Sequence, residues 1–466
     1  MSDINPVLEH IDLNLETSID RLTDLVAIPS VSTDSAFAGK CREAAGWLSG
    51  QLNKIGFESS VRPTTGHPMV VAHYTPEGLT GSIPHVLFYG HYDVQPADPV
   101  ALWDSPPFEA TRKTGENGRE HIVARGVHDD KGQLMTFVEA CGALMSVEGR
   151  LPLKITILFE GEEECGSPSL AKFLEENAAE LKADRVLVCD TNMWNEDTPA
   201  ITTRLRGLVY EEIIITAPQM DLHSGSYGGA ARNPVRVLAR IIADLHDSDG
   251  RIMVPEFYEG IEELQPDLKA QWDSLDFSPE KFLGEIGLKH AAGEEDRSVL
   301  EQIWSRPTCD VNGIVAGYTG EGSKTVIPSQ ASAKISFRLV GKQDPDRISA
   351  AFRSFVEARV PDDCTVEFLG HSNDPAIEIP RGDRFTAIAA QVLQQEFGKP
   401  CVLMGGGGSI PIVGSFKSVL EMDSLLVGFG LVEDRIHSPN EKYEVKSFHK
   451  GMRSWARILK ALAGET

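Results

Sequence analysis

Hydrophobic and polar positions in the first part of the chain alternate between helical and strand-like patterns. Apolar residues recur with helical spacing between residues 6 and 27, and a second helix is predicted at 40–55. Unbroken apolar runs predict buried strands at 69–74, 85–90, 153–159 and 185–189, with a third helix after Asp129. This alternation predicts the first part of an α/β domain with a central sheet, over residues 1–206.

The pattern changes from about Gly207. The strands and helices predicted beyond it lie at 208–217, 235–245, 311–318, 331–340, 345–359 and 364–369. They predict a smaller α+β domain over residues 207–380, inserted into the first domain. Residues 381–466 then return to the first domain and end in an amphipathic helix at 446–463. The predicted fold class is therefore α/β, interrupted by an inserted α+β domain.

Composition excludes several classes of partner. A chain of 466 residues exceeds what one hydrophobic core usually supports, which agrees with two domains. The formal charge of −25 would repel phosphate backbones and anionic lipids, so we expect neither a nucleic-acid nor a membrane partner. The N-terminal segment lacks the apolar core of a signal peptide. Seven cysteines without a CxxC pair are typical of reduced thiols, and we expect a cytoplasmic location.

Residues that can bind metal ions follow several predicted strands or open the helix that comes next. They are His91, Asp129, Glu164, Asp190 and His437. In an open α/β sheet the carboxyl ends of strands converge on one crevice, so residues distant in sequence meet there. One carboxylate can hold two divalent ions about 4 Å apart through its two oxygens. The pattern predicts a two-metal hydrolase, in which adjacent Glu residues supply a ligand and a general base.

Taken singly, these residues also have simpler interpretations. An Asp pair directly before a helix is typical of a helix cap, and the run Glu162 to Glu164 is typical of a solvated charged face. Asp190 at the exit of a strand is typical of a turn cap, and a lone loop histidine such as His437 is usually exposed. Asp93 follows His91 at strand spacing, so it either binds the same metal or orients that histidine.

Two further segments suggest contacts with an anion. Arg338 lies among apolar residues of a predicted strand, where a peptide's terminal carboxylate or an edge-strand salt bridge would satisfy its guanidinium. Thr325, in the segment KTVIP, is a second candidate contact for the same carboxylate. Gly408 and Ser409 end a glycine run that can offer backbone amides to a carboxylate or form a plain turn. The run lacks the GK[ST] of a phosphate-binding loop, which argues against a nucleotide site.

Taken together, the motifs resemble one enzyme family across nearly the whole chain. They are HYDVQP at 91–96, DDKG at 129–132, EGEEECGS at 160–167, DLHSGSYGG at 221–229, KTVIP at 324–328, GGSIP at 407–411 and HSPNEK at 437–442. The chain thereby resembles the co-catalytic zinc metallopeptidases, which include carnosinases and cytosolic dipeptidases, aminoacylase, glutamate carboxypeptidase and desuccinylases. The order and spacing are closest to the carnosinase-like dipeptidase branch.

The resemblance implies a role for each candidate residue. His91 and Asp190 would bind one metal, and Glu164 and His437 the other, with Asp129 as the bridge. Zinc is the expected ion, with manganese or cobalt as alternatives.

The resemblance also implies the catalytic groups. Glu163 would be the general base, and Asp93 would orient His91. The inserted domain would form a lid and a homodimer interface, from which His223 reaches the partner's active site to stabilise the oxyanion.

The predicted activity is hydrolysis of the peptide bond in dipeptides or short peptides with a free carboxyl terminus. An N-acyl-amino-acid deacylase or desuccinylase is the main alternative, since it would use the same metals. A two-metal phosphoesterase would want cationic clamps that the sequence does not place near the ligands. A non-catalytic scaffold would not require Glu163.

Overall fold

Residues 3–77, 83–115, 118–380, 382–408 and 410–464 are described by the computed structural model. The helices, apart from short 3₁₀ turns, are α1 (Asn5–Leu13), α2 (Leu15–Val26), α3 (Ala38–Ile55), α4 (Lys131–Glu148), α5 (Leu170–Glu176), α6 (Ala178–Leu181), α7 (Ser224–Tyr227), α8 (Pro234–Ala243), α9 (Pro266–Asp273), α10 (Pro279–Glu285), α11 (Val299–Trp304), α12 (Pro345–Glu357), α13 (Arg384–Phe397), α14 (Pro411–Leu420) and α15 (Val445–Ala463).

The strands follow the predicted pattern closely where the apolar runs are longest. They are β1 (Glu58–Arg62), β2 (Met69–Tyr74), β3 (His85–His91), β4 (Thr111–Thr114), β5 (Glu120–Val123), β6 (Lys154–Glu160), β7 (Arg185–Val188), β8 (Ala200–Leu205), β9 (Gly207–Thr216), β10 (Leu222–His223), β11 (Thr308–Ala316), β12 (Val326–Ile327), β13 (Gln330–Leu339), β14 (Thr365–Asp374), β15 (Ile377–Glu378), β16 (Val402–Gly406), β17 (Ser424–Leu426) and β18 (Lys442–Glu444).

A mixed sheet forms the centre of the larger part of the protein. Its strand order is β1-β2-β6-β3-β7-β17-β8-β15, with β16 paired to β8. Strands β6, β3, β7 and β17 are parallel to one another, so their carboxyl ends lie at the same edge. Because these strands are buried on both faces, they appear in the sequence as continuous apolar runs.

Helices α4 and α15 pack together beside this sheet around one aromatic cluster. Trp455 is fully buried, and its ring centroid lies 5.7 Å from Phe88 and 5.5 Å from Phe137. Phe88 lies on β3, which ends at His91, and Phe137 lies on α4, which begins two residues after Asp129. The cluster therefore packs together two elements that are next to, or end in, a candidate ligand.

The helix predicted from residue 6 to 27 differs from the structure. It is two helices, α1 and α2, because the backbone leaves the helical conformation at Asn14. The side-chain amide of Asn14 donates to the carbonyl oxygen of His10 at 2.8 Å. Asn competes for backbone hydrogen bonds in this way and ends helices that apolar periodicity alone would continue.

A second, antiparallel sheet has the strand order β11-β13-β9-β14. Helices α8 and α12 pack against it and bury a separate apolar core. The described residues form two compact units, here called the first unit (Met1–Thr203, Ile379–Met404 and Ser415–Thr466) and the second unit (Arg204–Glu378 and Gly405–Gly414). The predicted fold class, an α/β domain with an additional α+β part, is confirmed, whereas the predicted domain boundaries stay predictions.

Each of the seven cysteines carries a free thiol. Within the described ranges, every helix is too short or too polar to cross a lipid bilayer.

Candidate metal centre

His91 and Asp93 lie at the carboxyl end of β3, and both side chains are fully buried. The Nδ1 of His91 donates to the carbonyl oxygen of Asp93 at 3.1 Å and lies 3.4 Å from Oδ1 of the Asp93 carboxylate. A neutral imidazole with its proton on Nδ1 has a lone pair on Nε2, which is the atom a metal would bind. Asp93 therefore contacts the Nδ1 side of His91, and its predicted role in orienting that histidine stays a prediction.

Asp129 lies immediately before α4 and faces two histidines. Its Oδ1 is 3.1 Å from Nε2 of His91, and its Oδ2 is 3.0 Å from Nε2 of His437. The N-cap of α4 is Asp130, whose side chain makes no capping hydrogen bond. A capping role does not explain the position of Asp129, because its two oxygens point to two different groups.

The three glutamates after β6 have separate environments. Glu162 is buried, and its carboxylate accepts backbone N–H groups from His67 at 2.9 Å and Ser169 at 3.2 Å. The N–H groups of Glu163 and Glu164 donate to the carboxylate of Asp93 at 3.3 and 3.1 Å. This loop is consequently not a solvated charged face, since Asp93 and Glu162 hold it in place.

Glu164 completes a second group of candidate ligands. Its Oε2 lies 3.1 Å from Nε2 of His437 and accepts a 2.7 Å hydrogen bond from the side-chain amide of Gln95. The first group comprises His91, Asp129 and Asp190, with Oδ2 of Asp190 3.8 Å from Nε2 of His91. Within each group the ligand atoms lie within 4.8 Å of one another, and Asp129 belongs to both.

The concentration of carboxylates perturbs their protonation. Burial raises the pKa of Glu163 to about 8, and the nearby Asp190, Glu164 and Asp129 reinforce this rise while His91 opposes it. Burial, followed by repulsion from Asp129, also raises the pKa of Asp190. Carboxylates in this arrangement repel one another unless positive charge offsets them, and a divalent cation supplies that charge.

Protons on the histidines are the alternative source of positive charge. Hydrogen bonds to Asp129 and Glu164 raise the pKa of His437 to about 10. Protons and metal ions compete for the same imidazole nitrogens and carboxylate oxygens.

The donor set fits divalent metal ions. Imidazole nitrogens together with carboxylate oxygens suit zinc, manganese and cobalt. Ligand atoms about 2.1 Å from one tetrahedral ion lie roughly 3.4 Å apart. The separations of His91 and His437 from their carboxylate neighbours, 3.0 to 3.8 Å, are close to that spacing.

Comparison with known proteins agrees with this geometry. Residues 87–461 match the model of Peptidase family M20/M25/M40. The chain belongs to this peptidase family. The predicted membership of the co-catalytic metallopeptidases is confirmed, as is the predicted class of enzyme, a hydrolase of peptide bonds.

Similar proteins of the M20/M25/M40 family span nearly the whole chain. A Cys-Gly metallodipeptidase of Candida albicans is 31% identical over 98% of this chain and 96% of its own. A Beta-Ala-His dipeptidase of Homo sapiens is 26% identical over 99% of this chain and 93% of its own. The structure of the di-peptidase Dug1p from Saccharomyces cerevisiae has a TM-score of 0.78 at 27% identity, covering 100% of this chain and 99% of that one.

His223 and Thr325 belong to the second unit, and both are exposed. His223 pairs with Val326 across two short strands, and the carbonyl oxygen of Thr325 accepts the N–H of Ser224 at 3.1 Å. The Nδ1 of His223 accepts the N–H of Gly225 at 2.9 Å. A neutral ring held in this way carries its proton on Nε2 and presents a hydrogen-bond donor.

Arg338 also lies in the second unit, on β13, which is an interior strand of its sheet. The predicted alternative, an edge-strand salt bridge, does not match that position. Arg206 lies near it, and burial followed by repulsion from Arg338 lowers the pKa of Arg206 to about 10. Nε of Arg206 donates to the carbonyl oxygen of Gly407 at 2.8 Å, and its buried Nη1 makes no hydrogen bond within the described ranges. These two cations therefore lie beside the glycine run.

The glycine run is partly a strand. Gly405 belongs to β16, where an added Cβ would lie 2.6 Å from Cβ of Trp304, so close packing alone requires glycine there. Gly408 is exposed, and Ser409 lies outside the described residues.

Gln95 and Glu441 were missed as functional residues by sequence reasoning. Gln95 fixes the carboxylate of Glu164, and Glu441 accepts the backbone N–H of Asp129 at 3.1 Å. Both lie within motifs used for the resemblance, HYDVQP and HSPNEK. Their presence in these motifs could have indicated both residues from the sequence. The groups that they contact, however, are defined only by the folded chain.

We expect Asp129→Ala and His437→Ala to differ in metal stoichiometry. Removing the carboxylate of Asp129 should weaken the binding of both ions, so Asp129→Ala should retain well below one ion per subunit. His437→Ala should retain about one ion per subunit. Elemental analysis after dialysis against a fixed zinc concentration measures this. Equal stoichiometry in the two variants would contradict the bridging position of Asp129.

Proposed function

We propose that this M20/M25/M40 peptidase is a two-metal dipeptidase. It cleaves dipeptides or short peptides that have a free carboxyl terminus. The observation that carries the proposal is the placement of Asp129, whose two oxygens face two separate ligand groups at 3.1 and 3.0 Å. The dipeptidase activity agrees with the relatives, which are named for Cys-Gly and Beta-Ala-His substrates.

The proposed ligands follow the two groups. His91 and Asp190 hold one ion, Glu164 and His437 hold the other, and Asp129 bridges them. Zinc is the proposed ion, with manganese or cobalt as alternatives, because mixed imidazole and carboxylate sites accept all three.

Glu163 is the proposed general base. It is next to a ligand, its backbone is fixed by Asp93 at 3.3 Å, and it belongs to neither ligand group. The bound ions would acidify a water molecule and polarise the scissile carbonyl group. Glu163 accepts the proton of the attacking water and returns it to the leaving amine. The Asp93 carboxylate serves both halves of the site, because it contacts His91 and holds the Glu163 loop.

The substrate's terminal carboxylate is proposed to bind in the second unit. Arg338 supplies the guanidinium fork, with Thr325, Gly408 and Ser409 as further polar contacts. The interior position of β13 and the neighbouring Arg206 support this, since two cations close together attract an anion, and the nearby Asp310 carboxylate offsets only part of their charge. A free carboxylate is common to every dipeptide, whereas its side chains vary.

The second unit is also proposed to be a lid and a homodimer interface. Its edge strand β11 exposes the apolar side chains of Val311, Ile314 and Val315. Exposed apolar residues on an unpaired edge are typical of a surface that another chain covers. From this unit, the Nε2 proton of His223 would donate to the oxyanion in the partner's site. A cytoplasmic location is proposed from the reduced thiols.

The test of the function compares dipeptides with N-acyl amino acids. Metal-free protein is restored with zinc, manganese or cobalt, and release of free amino acids is measured for both panels and for dipeptide C-terminal amides. We expect cleavage of dipeptides and on the order of 100-fold slower cleavage of their amides, since the amide cannot pair with Arg338. Preference for N-acyl amino acids would instead support the deacylase alternative.

Glu163→Gln is expected to retain both ions and lose turnover. The amide is nearly isosteric but cannot accept a proton, so kcat should fall by about 100- to 10,000-fold with little change in KM. Steady-state kinetics and elemental analysis on the same preparation separate the two effects. Activity near that of the unchanged protein would rule out Glu163 as the base.

Mixing two inactive variants tests whether His223 acts across the dimer. In a heterodimer of His223→Ala with Glu163→Gln, one active site combines an intact Glu163 with an intact His223 from the partner. Random reassortment should therefore restore about a quarter of full activity. If His223 acts within its own chain, every site lacks one group and the mixture stays inactive.

A further inference from the structure

Glu441 is a buried charged residue to which the proposed mechanism gives no task. It lies four residues after His437 in the HSPNEK motif, and its side chain is fully buried within the first unit. A buried carboxylate is costly unless hydrogen bonds or ion pairs satisfy it, so its partners indicate what it holds.

The partners of Glu441 belong to the segment that ends in the proposed bridging residue. Oε1 accepts the backbone N–H groups of His128 and Asp129, each at 3.1 Å. Oε2 accepts the N–H of Gly126 at 3.0 Å and Nη1 of Arg125 at 2.7 Å. All four donors come from residues 125–129, so one carboxylate fixes this loop from inside.

Arg125 extends the network to a third loop. Its Nη2 donates to the carbonyl oxygen of Pro96 at 3.2 Å, and its guanidinium carbon lies 5.4 Å from the ring centroid of Trp103. Pro96 closes the HYDVQP motif that begins with His91. The loops that carry His91, Asp129 and His437 are therefore joined through the Arg125–Glu441 ion pair.

The loop before Glu441 requires such an anchor. Arg435, His437 and Asn440 have left-handed backbone conformations, with φ of 59, 60 and 62°. Residues other than glycine adopt this conformation only where surrounding contacts hold it. At the end of the loop, the Glu441 side chain is fixed and Lys442 pairs with Val123.

We propose that Glu441 is a positioning residue that sets the separation of the Asp129 carboxylate and the His437 imidazole. It thereby controls the affinity of the ion proposed to bind Asp129, Glu164 and His437. This inference rests on the proposed metal centre. The other ion would depend less on Glu441, because it also has His91 and Asp190 on neighbouring parallel strands or at their ends.

A purely structural role would make Glu441 equivalent to other buried carboxylates, and Glu396 is a matched control. Glu396 is buried in the first unit and accepts hydrogen bonds from Lys450, Arg453 and Arg457 at 2.7 to 2.8 Å. It joins α13 to α15 and has no hydrogen bond to a ligand-bearing loop among those described.

The experiment compares Glu441→Gln with Glu396→Gln in the full chain. In Glu441→Gln, the new side-chain amide would place an NH₂ group against donors, so part of the 125–129 loop should lose its anchor. Zinc affinities are measured by chelator competition, and the absorption spectrum of the cobalt-loaded protein reports ligand geometry. We expect the ion at Asp129, Glu164 and His437 to bind about 10- to 100-fold more weakly in Glu441→Gln, and the other ion to lose less affinity. Glu396→Gln should keep both affinities and an unaltered cobalt spectrum, even if its Tm falls.

Glu441→Asp provides a second variant if Glu441→Gln does not fold. It retains the charge that pairs with Arg125 but shortens the side chain by one methylene, so it should weaken the same ion to a smaller degree. Two-ion binding at unchanged affinity in Glu441→Gln or Glu441→Asp would overturn the proposal, as would an equal loss in Glu396→Gln. Failure of the unaltered protein to bind two ions would instead overturn the proposed metal centre itself.

Discussion

The rest of the site depends on the contacts of the Asp129 carboxylate, which belongs to both candidate ligand groups. Its Oδ1 and Oδ2 lie 3.1 and 3.0 Å from different histidines, so a small rotation of this side chain would separate the two groups. The loop before α4 cannot hold such a position by itself, because a solvated aspartate has several rotamers of similar energy. Its orientation is fixed by partners from other parts of the chain.

Those partners form a layer of buried and partly buried polar contacts behind the candidate ligands. Asp93 contacts His91 and holds the backbone of Glu163 and Glu164, Gln95 fixes the Glu164 carboxylate, and Glu441 holds the backbone of Asp129. Polar groups at such depth are costly unless fully satisfied, which makes this layer a rigid support.

Electrostatic repulsion among carboxylates favours the binding of cations at this centre. The carboxylates of Asp129, Glu163, Glu164 and Asp190 converge on a volume with two imidazoles, and the raised pKa of Glu163 reflects the burial and repulsion there. A chain with a formal charge of −25 strengthens the attraction of divalent ions and opposes anionic macromolecules. In the second unit, by contrast, two cations, Arg206 and Arg338, lie near each other.

The sequence by itself determined the local structure and the identity of the candidate ligands. Apolar runs ended at His91 and before Glu162 and Asp190 because parallel interior strands are buried on both faces and their polar residues begin at the exit. Helical periodicity predicted α15 almost to the residue but extended one helix through Asn14, since a side-chain hydrogen bond to the backbone leaves no mark on periodicity.

Only the tertiary structure decided which residues meet. The order β6-β3-β7-β17 brings together segments separated by hundreds of residues, and strand order is set by packing of the whole core. The pairing of Arg125 with Glu441 spans 316 positions, and nothing in either local pattern specifies it. The interior place of Arg338 was likewise hidden, because a strand's neighbours are not encoded in its own alternation. The motifs identified the candidate ligands, whereas the placement of Asp129 between two candidate ligand groups arises from long-range contacts.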